Sequence, residues 1–77
     1  MKSIVKEVEA ELDRATNLFG PIKSAHEGYG VLLEEVDELW DVVKRNDFVN
    51  GREEAIQVAA MAIRIVYDIY NPVLVRQ

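Results

Sequence analysis

The chain has 77 residues, about half of them hydrophobic, with fourteen acidic against nine basic side chains and a formal net charge of -5. That length bounds it to one small domain with a limited core of its own, and the acidic balance argues against a general nucleic-acid binder, which needs clustered Lys and Arg to neutralise phosphates. Cysteine is absent, so disulfides and thiolate zinc sites are excluded and stability must come from packing or self-association. Met1 to Leu12 alternates charge and hydrophobe unlike a signal peptide, and the apolar run Val58 to Ile63 is far short of the ~20 residues of a membrane span. A cytoplasmic protein with no membrane partner is the expectation.

Three helices and two short connections are predicted. Ser3 is placed to cap a first helix in which Ile4, Val5, Val8, Leu12, Ala15, Leu18 and Phe19 recur at helical spacing, up to Gly20-Pro21. A second begins at Ser24-Ala25-His26-Glu27, an S-x-x-E capping box, and runs to Lys44-Arg45, where positive charge suits a helix C-terminus. Asn46 to Asn50 forms the next connection. Asn50 stands three positions before Glu53 as the cap of a third helix, which Asn71-Pro72 is expected to stop.

That third helix is apolar almost all round, from Ile56 through Ala59, Met61, Ile63 and Val66 to Ile69. A helix apolar all round is buried all round, and two helices cannot surround it. The expected architecture is therefore all-α, a three-helix protomer in one domain (1–77) that completes a four-helix-type bundle as a homodimer or homotetramer. The small residues Ala55, Ala59, Ala60 and Ala62 would let helices approach closely.

On the second helix, Glu34 to Asp41 carries five carboxylates in eight positions. At about 100° per residue, Tyr29, Leu32, Leu33, Val36, Leu39, Trp40 and Val43 form its main apolar face, and Glu27, Glu34, Glu38 and Asp41 lie opposite. Glu35 sits at the apolar border, about 60° around from Glu38 and one turn away. Like charges so placed repel, so they call for cationic partners or a metal. Two carboxylates one turn apart make a Mg²⁺ half-site, since Mg²⁺ takes oxygen ligands, keeps several waters and bridges to substrate phosphates. A solvated acidic helix face is the simpler alternative. In an antiparallel hairpin, position 38 is expected level with positions 57 and 58, which brings Glu54 and Gln57 within reach of the pair. The helix dipole accounts in full for Glu53 and in part for Glu54 if both lie in the first turn of helix three.

These residues resemble the MazG-like all-α nucleoside triphosphate pyrophosphohydrolases, whose signature is E-x-x-E on one helix and E-x-x-D on the next. The likeness runs from about Phe19 to Asp68. It rests on Ser24-Ala25-His26-Glu27-Gly28-Tyr29, on Leu33-Glu34-Glu35-Val36-Asp37-Glu38-Leu39-Trp40, and on Glu54-Ala55-Ile56-Gln57-Val58-Ala59-Ala60. The resemblance implies Mg²⁺, or Mn²⁺, on Glu35, Glu38 and Glu54, with Gln57 at the fourth position. It also implies hydrolysis between the α and β phosphates of a nucleoside triphosphate, and a dimer or tetramer. Glu38 is the favoured central ligand, and Glu35 or Glu34 would orient or deprotonate the attacking water, which makes all three catalytic candidates. Gln57 stands where the pattern has aspartate, keeping one oxygen ligand but losing a charge and any capacity as a base. Glu34, Asp41, the substrate phosphates or a second chain could compensate; alternatively the chain is a catalytically impaired oligomer that binds nucleotide or a protein partner.

Four more residues are candidates for substrate contact. His26, in the first turn of helix two, and Lys23, just before it, could meet a phosphate, although each is equally at home at a solvated helix end. Trp40 could stack a base, as could Phe19, Tyr29, Tyr67 or Tyr70, but packing in the core or at an interface is the simpler role for Trp40, Tyr29 and Phe19. Arg64 interrupts the apolar third helix two turns beyond Gln57; it either pairs with Asp68 at i, i+4 or faces the acidic site. Gly28 and Gly30 lie in a helical pattern without the rest of a phosphate loop, which argues against the common ATPase and dehydrogenase folds.

Overall fold

The computed structural model describes residues 1–75, and all its elements are helical. They are α1 (Lys2–Phe19), α2 (Ala25–Lys44), α3 (Phe48–Ile65), a π-helical stretch Val66–Tyr70 that continues α3, and a short α4 (Asn71–Val75). The three long helices match the expected periodicity; their ends differ in instructive ways. α1 starts at Lys2 and Ser3 is inside it, with no side-chain cap bond. Gly20 closes α1 with φ 74°, a left-handed conformation suited to glycine, and its N–H donates to Thr16 O. Ser24 caps α2 as its sequence requires, Oγ accepting from Glu27 N at 3.0 Å.

The turn between α2 and α3 is tighter than expected. Asn46 takes the left-handed conformation (φ 56°), and Asn46 N and Asp47 N donate to Val43 O and Val42 O, satisfying carbonyls at the end of α2. Asp47, not Asn50, is the α3 cap: its Oδ1 accepts from Asn50 N at 3.1 Å. α3 thus begins at Phe48, and Glu53 and Glu54 lie beyond its first turn, where the helix dipole no longer accounts for them. Asn71-Pro72 does not end the helix. The chain widens into π turns, with Asn71 N donating to Val66 O, before α4 begins; Pro72 falls in the first turn of α4, where its missing N–H is tolerated.

α3 is the central element, packed against α2 along the hairpin and against α1. The hairpin register can be read from side-chain approaches. A Cβ on Gly51 would lie 3.9 Å from Val42, and one on Gly28 would lie 2.9 Å from Ile65 Cγ1, so the two helices run together over most of their length. Arg52 crosses to α1 and donates to both carboxylate oxygens of Glu7 at 2.6 Å. Ala15, Ile22, Val42, Ala60 and Met61 form the buried apolar core among the described residues.

Five buried apolar side chains are a thin core for a chain that is half hydrophobic. Much of the apolar surface faces outward. On α2 the residues assigned from sequence to the main apolar face divide: Leu32 and Leu39 are half-buried, while Tyr29, Leu33, Val36, Trp40 and Val43 are exposed, Trp40 by 57%. The helix instead turns Gly28, Val31, Glu35 and Val42 inward, because the protomer supplies only α3 as a neighbour along the hairpin. On α3, Ala55, Ala59, Ala62, Ile63 and Val66 are likewise exposed, so the all-round burial expected of this helix does not occur within one chain. The radius of gyration, 13.3 Å, exceeds the roughly 11.5 Å of a compact domain of this length.

Candidate metal centre

Glu35 and Glu38 stand one turn apart on α2, and the tight turn sets Glu54 of α3 against them. One carboxylate oxygen from each of the three lies within 4.8 Å of the others. Gln57 completes the group from the next turn of α3. With its amide oriented by hydrogen bonding, its nitrogen donates to Glu35 Oε2 at 3.0 Å and Glu54 Oε2 at 3.2 Å. The register therefore pairs Glu38 with Glu54 and Glu35 with Gln57, almost one turn away from the expected level of position 38 with 57 and 58. The difference follows from a turn centred on Asn46 instead of a longer Asn46 to Asn50 connection. The same residues meet, since a shift of nearly one turn keeps the same face inward.

Burial and neighbouring charge bear on two of the three carboxyls. Glu35 is half-buried, and its carboxyl is pushed above the ordinary carboxylate range, first by burial and then by the charges of Glu38, Glu54, Glu11 and Glu34. Glu54 is pushed the same way by burial, by the charge of Glu38 and by a hydrogen bond shared with Glu38 that favours the protonated form. Arg14 of α1 feels the charge of Glu35 but is already engaged by Glu11 through bonds of 2.8 and 2.6 Å. The donor set is all hard oxygen, and ligand atoms around an octahedral ion at ~2.1 Å lie about 3 to 4.2 Å apart, within the spread of these three. Glu35, Glu38 and Glu54 can hold a divalent ion of the Mg²⁺ type; Gln57 can add its amide oxygen by rotating half a turn about its last bond.

Beside the cluster is a cavity of about 370 Å³ between the C-terminal half of α1, the α1–α2 linker and the inner faces of α2 and α3. Glu34, Glu35 and Gln57 line one part of it, and Arg64 another. Arg64 is buried, 7% exposed, and donates through an Nη to Gly20 O at 2.6 Å. Asp68, one turn on, accepts from Ile22 N at 2.9 Å. In place of the i, i+4 ion pair open from sequence, the two side chains grip the same linker.

The other candidates are spread out. Glu34 is exposed at the cavity. Lys23 and His26 are exposed near the start of α2, and neither lines the cavity. Trp40 lies about 200° around α2 from Glu38, on the exposed apolar stripe with Lys44 Nζ 5.7 Å from its ring centroid. Asp41 pairs with Lys44 at 3.3 Å on the surface. Sequence reasoning missed Glu11 and Arg14 of α1, which line the cavity; Phe19, already a base-stacking candidate from sequence, lines it too. The signal was present, because Glu11 adjoins Leu12 and Ala15 on the helix face that packs inward, but α1 carries no part of a motif.

No known protein family, curated protein or solved structure matches the chain. No helix among the described residues is long and apolar enough to cross a membrane.

Proposed function

We propose that the protein is a Mg²⁺-dependent nucleoside triphosphate pyrophosphohydrolase of the MazG-like kind, a single helical domain acting in the cytoplasm as a homodimer or homotetramer. The observation that carries this reading is the convergence of Glu35, Glu38 and Glu54 within 4.8 Å across two helices. Three carboxylates drawn together from two helices repel one another, and a shared cation relieves that repulsion. Mg²⁺, or Mn²⁺ in its place, supplies charge neutralisation of the phosphates and a more acidic bound water. The chain's own residues do the rest. Glu38 and Glu54 would hold the cation, and Glu35 would share in that or accept a proton from the attacking water; Glu34, exposed beside it, is the alternate base.

Self-association rests on the exposed apolar surface. Tyr29, Leu33, Val36, Trp40 and Val43 follow a 4-3-4-3 spacing, the seam of a helix that packs on another helix, and contiguous apolar surface on this scale marks an interface. A second copy supplies the missing layer of the four-helix-type bundle.

Gln57 favours a second reading. Its amide can satisfy Glu35 and Glu54 by hydrogen bonding alone, which suits a helical oligomer that binds nucleotide or a protein partner with little turnover. Pyrophosphate release from a panel of canonical and modified nucleoside triphosphates separates the two. Turnover by the native protein that Glu38→Ala abolishes supports the enzyme. Silence in the native protein with activity gained in Gln57→Asp supports the impaired site, and silence in both excludes hydrolysis.

A further inference from the structure

The linker from Gly20 to Ser24 is held to the rest of the protein mainly by side chains. Gly20 closes α1 and Ser24 caps α2, but no backbone group of Pro21, Ile22 or Lys23 bonds to another backbone group among the described residues. Two ties reach it from α3 and its π-helical continuation. Arg64 donates through an Nη to Gly20 O at 2.6 Å, and Asp68 Oδ2 accepts from Ile22 N at 2.9 Å. Ile22 is the one side chain of the linker that is buried, where Gly28 of α2 and Ile65 of α3 come together. Behind this segment is the cavity beside the carboxylates. Phe19, Gly20, Pro21 and Ile22 form one wall of it, and Glu34, Glu35 and Gln57 line another part.

The closed linker also carries a penalty. Arg64 is buried under it, and its Nε–H is shut off from solvent without an acceptor. An unpaired buried donor costs free energy, and lifting Gly20 away opens the guanidinium to water. A segment tied by two bonds and one apolar side chain, against such a penalty, opens locally before the fold does. We propose that the linker is a strap that opens as a unit and admits ligands to the cavity beside Glu35. Gly20, with φ 74°, is the hinge, because glycine moves between backbone regions at little steric cost. Ser24 is the fixed end, since its Oγ accepts from Glu27 N at 3.0 Å as the cap of α2. Arg64 and Asp68 are positioning residues that set how often the strap lifts. The gate does not depend on what the carboxylates bind, so its failure leaves the metal reading standing.

The test uses the two methionines of the chain. Met61 lines the cavity and is 4% exposed, whereas Met1 is 89% exposed. Hydrogen peroxide oxidises a methionine sulfur that it can reach. The ratio of initial oxidation rates, Met61 to Met1, read by mass spectrometry, therefore gives the fraction of time the cavity is open. Hydrogen exchange of the buried Ala60 amide in α3 gives the same fraction for the bundle. In the native protein the cavity is expected to open about tenfold or more often than the bundle. Asp68→Ala, which removes the acceptor of Ile22 N, is expected to raise Met61 oxidation about fivefold and leave Ala60 exchange unchanged. Equal fractions in the native protein overturn the proposal without recourse to a variant, since the linker then opens only with the bundle. Two results in Asp68→Ala also overturn it. Unchanged Met61 oxidation means that peroxide enters by another route, and a rise shared equally by Met61 and Ala60 makes the tie part of the bundle's global stability.

Discussion

Gln57 faces Glu35 across the α2–α3 hairpin, its amide nitrogen donating to Glu35 Oε2 at 3.0 Å and to Glu54 Oε2 at 3.2 Å. A single side chain here has two useful orientations. Nitrogen inward, it neutralises nothing but satisfies two carboxylates; oxygen inward, it offers a fourth ligand to a cation. Replacing it with aspartate removes the first option and strengthens the second. Gln57→Asp is predicted to lower the melting temperature in chelator, where it adds a fourth like charge, and to tighten Mn²⁺ binding on the order of tenfold. Thermal melts and calorimetry on the two proteins check both halves.

The raised proton affinities of Glu35 and Glu54 set the sign of a pH effect. Both groups hold protons more tightly folded than unfolded, so their contribution to stability is present below the ordinary value of 4.5 and is lost as pH rises through the raised folded values. Asp47, Glu7 and Glu11 are shifted downward by their hydrogen bonds to Asn50, Arg52 and Arg14 and act in the opposite sense, with stability lost as pH falls. Comparing melts with and without Mg²⁺ at each pH cancels these three. The stabilisation by Mg²⁺ is predicted to grow as pH rises from 4.5, as the cation replaces protons. A Mg²⁺ effect independent of pH over that window would detach the ion from this cluster.

Two glycines in α2 are predicted to respond oppositely to alanine. Gly30 has open space where a Cβ would stand, so Gly30→Ala stabilises by about 1 kcal/mol through helix propensity. At Gly28 the new methyl would meet Ile65 Cγ1 at 2.9 Å and Ile22 at 3.3 Å. Overpacking of that kind costs roughly 1–3 kcal/mol, which cancels or outweighs the propensity gain. Urea denaturation of the two variants measures the difference, and equal stabilisation by both would contradict the close approach of α2 to the end of α3.

The exposed stripe on α2 gives a prediction about assembly. The native protein is predicted to sediment as a dimer or larger at micromolar concentration, and Val36→Glu, a charge in the middle of the stripe, to shift it toward monomer while circular dichroism still reports helix. A native protein that sediments as a monomer would refute the bundle.

The helices were legible because amphipathic spacing and capping residues act locally. Ser24, Gly20 and the 3.6-residue spacing of α1 needed no tertiary context. The carboxylate cluster was legible for the same reason, since Glu35 and Glu38 share a helix face and any short hairpin brings Glu54 near them. The register was harder, because Asp47 and Asn50 are both good caps and only the tight turn at Asn46 decides between them. The packing face of α2 was not legible: Tyr29 to Val43 is its most apolar stripe, yet α3 packs on the stripe that carries Gly28, Glu35 and Val42. Composition alone does not say which apolar face a protomer uses and which it leaves outside. Arg64 was legible as an interruption that either pairs with Asp68 or faces the acidic site; its grip on Gly20 joins residues 44 apart, a contact that no local pattern encodes.

The central claim is that Glu35, Glu38 and Glu54 hold one divalent cation. Titration with Mn²⁺ followed by electron paramagnetic resonance tests it most directly, with native protein and Glu38→Ala compared at the same ionic strength. The prediction is one saturable site per chain in the native protein, competed by Mg²⁺ and absent from the variant. Weak, unsaturable association that falls with salt and is the same in both proteins would identify the cluster as solvated surface and contradict the account.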